Sequence, residues 1–231
     1  MREIIFDTET TGFNHQGDDR MVEIGCIEMI GRVMTGATFH CYFNPSRAMP
    51  AGAEAVHGLS DRFLSDKPVF AQKAGDLLEF LGDSPLVAHN APFDFGFLNS
   101  ELGRCGRPAI DMGRMIDTIA IAKVRHPGSK MSLDALCTRY GIDRSHRVKH
   151  GALLDAELLA HLYIELTGGR QIGLGLVDDE GSGPSEPGFG SIAVTQERLF
   201  RPARPHAASA EDLARHSEFM GTIENALWND V

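Results

Sequence analysis

The chain carries no cysteine pair. Cys26, Cys41, Cys105 and Cys137 are scattered, without a C-x-x-C spacing. That excludes a zinc ribbon, a redox dithiol and a disulfide scaffold, and the four read as reduced thiols that mostly pack a core. No apolar run is long enough to cross a membrane. The opening Met1-Arg2-Glu3-Ile4-Ile5-Phe6 lacks the long apolar segment and small-residue cleavage site of a signal peptide, so a cytoplasmic protein is expected. Positive charge is also scarce: 22 Lys and Arg stand against 32 Asp and Glu, a net charge of −10. Such a balance argues against an unaided electrostatic grip on long nucleic acid. It is compatible with a nuclease whose contact to phosphate runs through bound cations, while something else holds most of the polymer. There is no internal repeat.

What is present suits one ordinary domain plus an extra segment: 231 residues, 42% of them hydrophobic. Apolar runs predict a central strand over residues 3–7, then strands over 21–30 and 33–43 joined by a tight turn at Gly31-Arg32. A short helix is expected over 50–59. A longer amphipathic one follows over 69–81, with Phe70, Ala74, Leu77, Leu78 and Leu81 on one face. Leu86-Val87-Ala88 reads as a buried strand, residues 93–102 as a helix and 115–118 as the last strand. Ser132 caps a helix that stops at Gly141, and a final helix over 152–166 ends at Gly168-Gly169. Three hairpin-linked strands followed by strand–helix alternation predict an α/β fold, a mixed five-stranded sheet flanked by helices.

From Val177 to Gly190 the composition turns to Gly, Ser, Pro and acidic residues, the signature of a flexible linker. Beyond it, Ser209-x-x-Asp212 opens one credible helix, with Leu213, Met220, Ile223 and Leu227 on a stripe. The expected division is therefore 1–170 as catalytic domain, 171–190 as linker and 191–231 as tail.

Chemistry concentrates in three segments. Asp7-Thr8-Glu9-Thr10-Thr11-Gly12 follows the first strand. Residues two apart on a strand share a face, so Asp7 and Glu9 can converge on one cation. The Thr10–Gly12 turn offers hydroxyls and close backbone approach to a phosphate or sugar. His89-Asn90-Ala91-Pro92-Phe93-Asp94 follows a short buried strand, where site residues of α/β proteins gather. There Asn90 is either a hydrogen bonder for a nucleotide or a helix cap, and Phe93 either a surface for a base or a core residue. In His150-Gly151-Ala152-Leu153-Leu154-Asp155 the histidine stands just outside the helix that carries Asp155. An imidazole titrates near neutrality and suits a general base. Four carboxylates without thiolates or a histidine cluster point to two Mg²⁺ or Mn²⁺ ions.

Taken in order, D-x-E-T-T-G, H-N-A-x-F-D and H-x-A-x-x-D resemble the three motifs of the DEDDh exonuclease family over residues 2–170. Val56-His57-Gly58 and the Gly168-Gly169 ending are similar to its proofreading members from bacterial DNA polymerase III. The resemblance implies a ribonuclease H-like fold and a 3′→5′ exonuclease that edits DNA synthesis, releasing nucleoside 5′-monophosphates. It implies that Asp7, Glu9 and Asp155 ligate one metal, that Asp7 also touches the second, and that Asp94 acts mostly through water. His150 would be the general base, while Thr10, Val56, His57, Asn90 and Phe93 would sit at the terminal nucleotide. Family members often carry Pro-x-Glu-Ala-Phe before Val-His-Gly. Here Gly52 replaces that Glu, so a contact to the terminal sugar is either missing or supplied by Glu54.

An isolated helix as short as the tail's is marginal in water, so its stripe is expected to dock on a partner, with Trp228, the only tryptophan, as an anchor. By resemblance that partner is the alpha subunit of DNA polymerase III. Gln171, Leu174 and Leu176 form a Q-x-x-L-x-L run that reads either as a sliding-clamp peptide or as a frayed helix exit. Two other readings remain open on sequence alone: a free-standing nuclease on RNA or oligonucleotide ends, and a non-catalytic adaptor between polymerase and clamp.

Overall fold

A computed structural model describes residues 1–145, 149–169 and 207–223. The chain divides into two compact units, Met1–Leu176 and Val177–Val231. In the first, β1 (Arg2–Thr10) pairs antiparallel with β2 (Met21–Ile30), which pairs antiparallel with β3 (Val33–Tyr42). Gly31 and Arg32 both have left-handed backbone, φ 58° and 67°, the combination a two-residue type I′ hairpin turn requires. β4 (Leu86–Ala88) lies parallel to β1, and β5 (Met115–Asp117) parallel to β4, giving the order β3-β2-β1-β4-β5. β1 runs three residues beyond the expected Asp7. Thr8, Glu9 and Thr10 go on pairing with Ile24, Glu23 and Met21 of β2.

The strand alternation of β1 builds two cores. Ile4 and Phe6 face α3 (Phe70–Leu81) and α4 (Ala91–Arg104), where Leu77, Phe95 and Leu98 are fully buried. Ile5 faces the other way, onto α7 (Ala152–Leu166) and its Ala156, Leu159 and Leu162. Ten of the fifteen residues of α7 are buried, so this helix lies inside the domain. At about 1.5–3 kcal/mol per fully buried large aliphatic side chain, it is firmly held.

The remaining helices are short: α1 (Ala51–His57), α2 (Asp61–Leu64), α5 (Thr118–Arg125) and α6 (Leu133–Tyr140). Ser132 caps α6 through the Ala135 N–H, and Gly141 closes it at φ 66°, as the sequence predicts. The one-turn α2 and the β-branched start of α5 carry no clear helical period, and neither is anticipated. They are capped by Ser60 and Asp117 respectively.

In the second unit α8 (Ala210–Gly221) starts at Ser209. The Ser209 hydroxyl accepts from the Asp212 N–H and donates to the Asp212 carboxylate at 2.6 Å. Leu213 and Phe219 are exposed and Met220 half-buried. The expected stripe is cut short, because the helix ends at Gly221 with Thr222 as C-cap and Ile223 falls after it. Leu227 and Trp228, like Gln171, Leu174 and Leu176, lie outside the described residues. Among the described residues, no helix is long and apolar enough to cross a membrane.

Candidate active site

Successive β1 residues point to opposite faces of the sheet, and helices from both sides bring acids to the strand end. On the α4 face, Thr8 donates its hydroxyl to Asp94 Oδ1 at 2.7 Å, a buried bond from β1 to the first turn of α4. On the α7 face, Asp7 and Glu9 look toward Asp155, which is 3% exposed in the first turn of α7. Ligand atoms of Glu9, His150 and Asp155 all lie within 4.8 Å of one another. His150 Nδ1 sits 3.1 Å from Asp155 Oδ2, with about half of its side chain in solvent.

Crowding of like charges is visible in the electrostatics. Burial, then the neighbouring Asp94, Glu9 and Asp155 carboxylates, hold Asp7 well above the usual carboxylate range. Burial pushes Asp94 up to about 7, against the lowering effect of the Thr8 hydrogen bond. Two acids, Asp7 and Asp94, that resist ionisation by themselves are what a divalent cation would relieve. The donors are carboxylate oxygens and one imidazole, a hard set that fits Mg²⁺ or Mn²⁺.

The second motif divides its labour differently from the simplest sequence reading. His89 is a structural residue. Its Nε2 faces the Met131 carbonyl at 2.8 Å and its Nδ1 the Thr118 hydroxyl at 2.9 Å, and burial lowers its pKa. Asn90 occupies the N-cap position of α4 in left-handed backbone, φ 65°, but its exposed side chain makes no capping bond. Asp117 at the end of β5 does that work instead, accepting from the Asn90 and Ala91 N–H groups as well as from Ile119 N–H. The start of α4, and with it Asp94, is thereby tied to the sheet.

Beside the carboxylates lies a cavity of about 560 Å³ lined by Thr8 to Phe13, Asp19, Pro50, Gly52, Ala53, Val56, His57 and Phe93. Half-buried Phe93 and the 90% exposed Phe13 form its aromatic side, with ring centroids 6.3 Å apart. His57 is 6% exposed. Its Nδ1 accepts from the Leu59 N–H, so a neutral ring carries its proton on Nε2, which has no hydrogen-bond partner. Burial lowers the His57 pKa and favours that neutral form. The Thr10 hydroxyl donates to the Gly12 carbonyl at 2.6 Å. Gly52 lines the cavity and an added Cβ there would meet nothing within 4 Å, so this stretch of wall presents backbone and open space.

Three features of the site have no local signal in the sequence. Phe13 is one. Another is the buried Glu101 of α4, which takes two hydrogen bonds from Arg20 and so anchors the loop between β1 and β2. The third is Lys149, whose stem lies over Gly58, a position with φ 77° and no side chain in the way.

The sequence profile of the exonuclease family matches residues 4–163. Exonuclease X in complex with 5′-overhanging duplex DNA is 27% identical and superposes with a TM-score of 0.55 over 71% of this chain and 90% of that one. The nuclease domain of 3′hExo, a DEDDh family member bound to rAMP, shares the fold at 17% identity and a TM-score of 0.62, over 72% and 91% of the two chains. The order of acids on this ribonuclease H-like sheet defines a DEDDh exonuclease. DNA polymerase III subunit epsilon of Rickettsia typhi is 45% identical over 226 residues, 96% of this chain and 97% of its own length. The chain belongs to that epsilon-subunit family and is a 3′→5′ exonuclease.

Proposed function

We propose that this chain proofreads DNA synthesis by two-metal hydrolysis of the last phosphodiester at a 3′ end, releasing nucleoside 5′-monophosphates. The observation that carries this is the meeting of Asp7, Glu9, Asp94, Asp155 and His150 at one strand end, with Glu9, His150 and Asp155 within mutual reach of a cation. Asp7, Glu9 and Asp155, with Asp7 and Asp94 at the second position, would hold two Mg²⁺ or Mn²⁺ ions, which supply positive charge to the scissile phosphate and the leaving oxygen.

His150 is the general base. With Nδ1 turned to Asp155, its Nε2 takes the proton of the attacking water. The water oxygen bonds to phosphorus, the bond from phosphorus to the 3′ oxygen breaks, and that oxygen leaves with the bonding electron pair and takes a proton from solvent to become a hydroxyl. Val56, Phe93 and Phe13 form the apolar and stacking surface for the terminal nucleoside, with Thr10 and His57 at its polar edges; Asn90 is assigned to the same nucleotide by its place in the second motif. Selection for mismatches needs no base readout, since a mispaired end unstacks at lower cost and reaches the cavity more often.

The tail supplies the partner. Leu213 and Met220 of α8, with Ile223, Leu227 and Trp228, bind the alpha subunit of DNA polymerase III, so the substrate is delivered to a domain that is itself acidic. Gln171, Leu174 and Leu176 contact the sliding clamp, and the complex works in the cytoplasm. The test is release of nucleoside 5′-monophosphate from a 3′-mismatched primer, with and without Mg²⁺, by the chain alone and by its polymerase complex. Metal-independent cleavage, or products longer than mononucleotides, would reject the mechanism.

A further inference from the structure

Gly25 on β2 stands directly opposite Asp7 in the β1–β2 register, on the face toward α7. A Cβ there would lie 2.3 Å from both the Leu153 Cα and the Leu153 nitrogen, and 2.5 Å from the Ala152 carbonyl carbon. These are backbone atoms in the first turn of α7, two and three residues before Asp155. No rotamer change can make room. To reach an ordinary contact of 3.4 Å, helix and strand would have to part by about 1 Å.

The geometry points to Gly25 as the positioning residue that sets how deeply α7 seats against β1, and so the spacing between Asp155 and the Asp7–Glu9 pair. This rests on the two-metal reading proposed above. The magnitudes favour a functional consequence over a merely structural one. Mg²⁺ demands near-ideal geometry at about 2.0–2.1 Å from each oxygen, and metal sites tolerate errors of roughly 0.2 Å. A displacement of about 1 Å is therefore several times what the centre can absorb. β2 has a side chain at every other position of this face, including Glu23 and Ile27. Gly25 is the gap through which the helix start reaches the acids.

The experiment uses the full chain and measures Mn²⁺ affinity by titration calorimetry, alongside exonuclease rate and thermal unfolding. Gly25→Ala should bind Mn²⁺ about 10–100-fold more weakly, in the range found when the support of a metal ligand is lost. Leu77→Ala, a cavity in the opposite core, supplies a matched loss of stability and should leave Mn²⁺ affinity unchanged. Adding Asp155→Glu to Gly25→Ala returns about 1.5 Å of reach and should recover part of the affinity. Alone, Asp155→Glu should overshoot and weaken binding, a measurement that stands even if Gly25→Ala fails to fold. Four results would each overturn the inference: wild-type affinity in Gly25→Ala, an equal loss in Leu77→Ala, no recovery in the double variant, or no effect of Asp155→Glu alone. Failure of the wild-type chain to bind Mn²⁺ would instead sink the two-metal reading.

Discussion

Thr8 and Asp94, 86 residues apart in sequence, are joined by a buried 2.7 Å hydrogen bond from hydroxyl to carboxylate. The bond favours the ionised acid in a place where burial opposes it. Thr8→Val keeps the shape and removes the donor, so the Asp94 pKa should rise beyond its present value of about 7. The acid limb of the pH–rate profile should move to higher pH, and the rate at neutral pH should fall about tenfold or more, since a hydrogen bond to a charged group is worth about 1.5–3 kcal/mol. A profile at Mg²⁺ below saturation, where proton and metal compete for Asp94, checks this, and an unmoved acid limb counts against it.

The metal-free protein should lose stability as pH rises from about 4 through about 7. Asp94 holds its proton to about 7 in the folded state, against 3.8 as its ordinary value, and Asp7 is raised in the same direction. Between those pH values the folded chain binds more protons than the unfolded chain, so stability falls with pH and levels off above the folded pKa. Mg²⁺ should reverse the trend, because it binds the ionised carboxylates. Melting temperatures in EDTA and in Mg²⁺ across that range should diverge upward in pH. Asp94→Asn should flatten the EDTA curve.

His150→Ala should cost about 10²–10⁴-fold in kcat, the range for a lost general base. About half of the side chain is exposed, so the melting temperature should barely move. Near-normal cleavage of a single-stranded 3′ end would remove the assigned role.

Phe13→Ala should raise KM for single-stranded DNA without affecting stability. The ring is 90% exposed and stands at the cavity rim beside Phe93. Loss of one stacking platform is worth about 1–3 kcal/mol per base, so the increase should be about 5- to 150-fold. Steady-state kinetics at fixed salt decide it.

Leu213→Ser together with Phe219→Ser should abolish co-purification with the polymerase while leaving exonuclease activity on free ends intact. Both side chains are exposed on α8, and apolar anchors of this kind contribute about 2 kcal/mol or more each. Retained co-purification would place the docking surface elsewhere.

Where sequence reading succeeded, its signals were local. The Gly31-Arg32 turn, the Ser132 and Gly141 caps and the apolar face of α3 each depend on a few neighbouring residues. Asp7, Glu9, Asp94, His150 and Asp155 stand out in the sequence only through the order of the three motifs, and the fold brings them to one strand end. What escaped notice depends on partners far along the chain. The extra length of β1 is written in β2, and the Asn90 turn is held by Asp117. The loop carrying Phe13 is anchored by Glu101, 81 residues from Arg20. Gly25 looks like any strand glycine until α7 is laid across it.

Arg32, at the tip of the β2–β3 hairpin, donates to the carbonyl of Gly169, just past the end of α7. That tip pairs with the beginning of β1, whereas the acids occupy its end, roughly 20 Å away at the rise of an extended strand. The polypeptide therefore departs from the pole opposite the catalytic mouth. Gly168 and Gly169 at this pole take positive φ values of 103° and 76°, backbone that glycine adopts without strain.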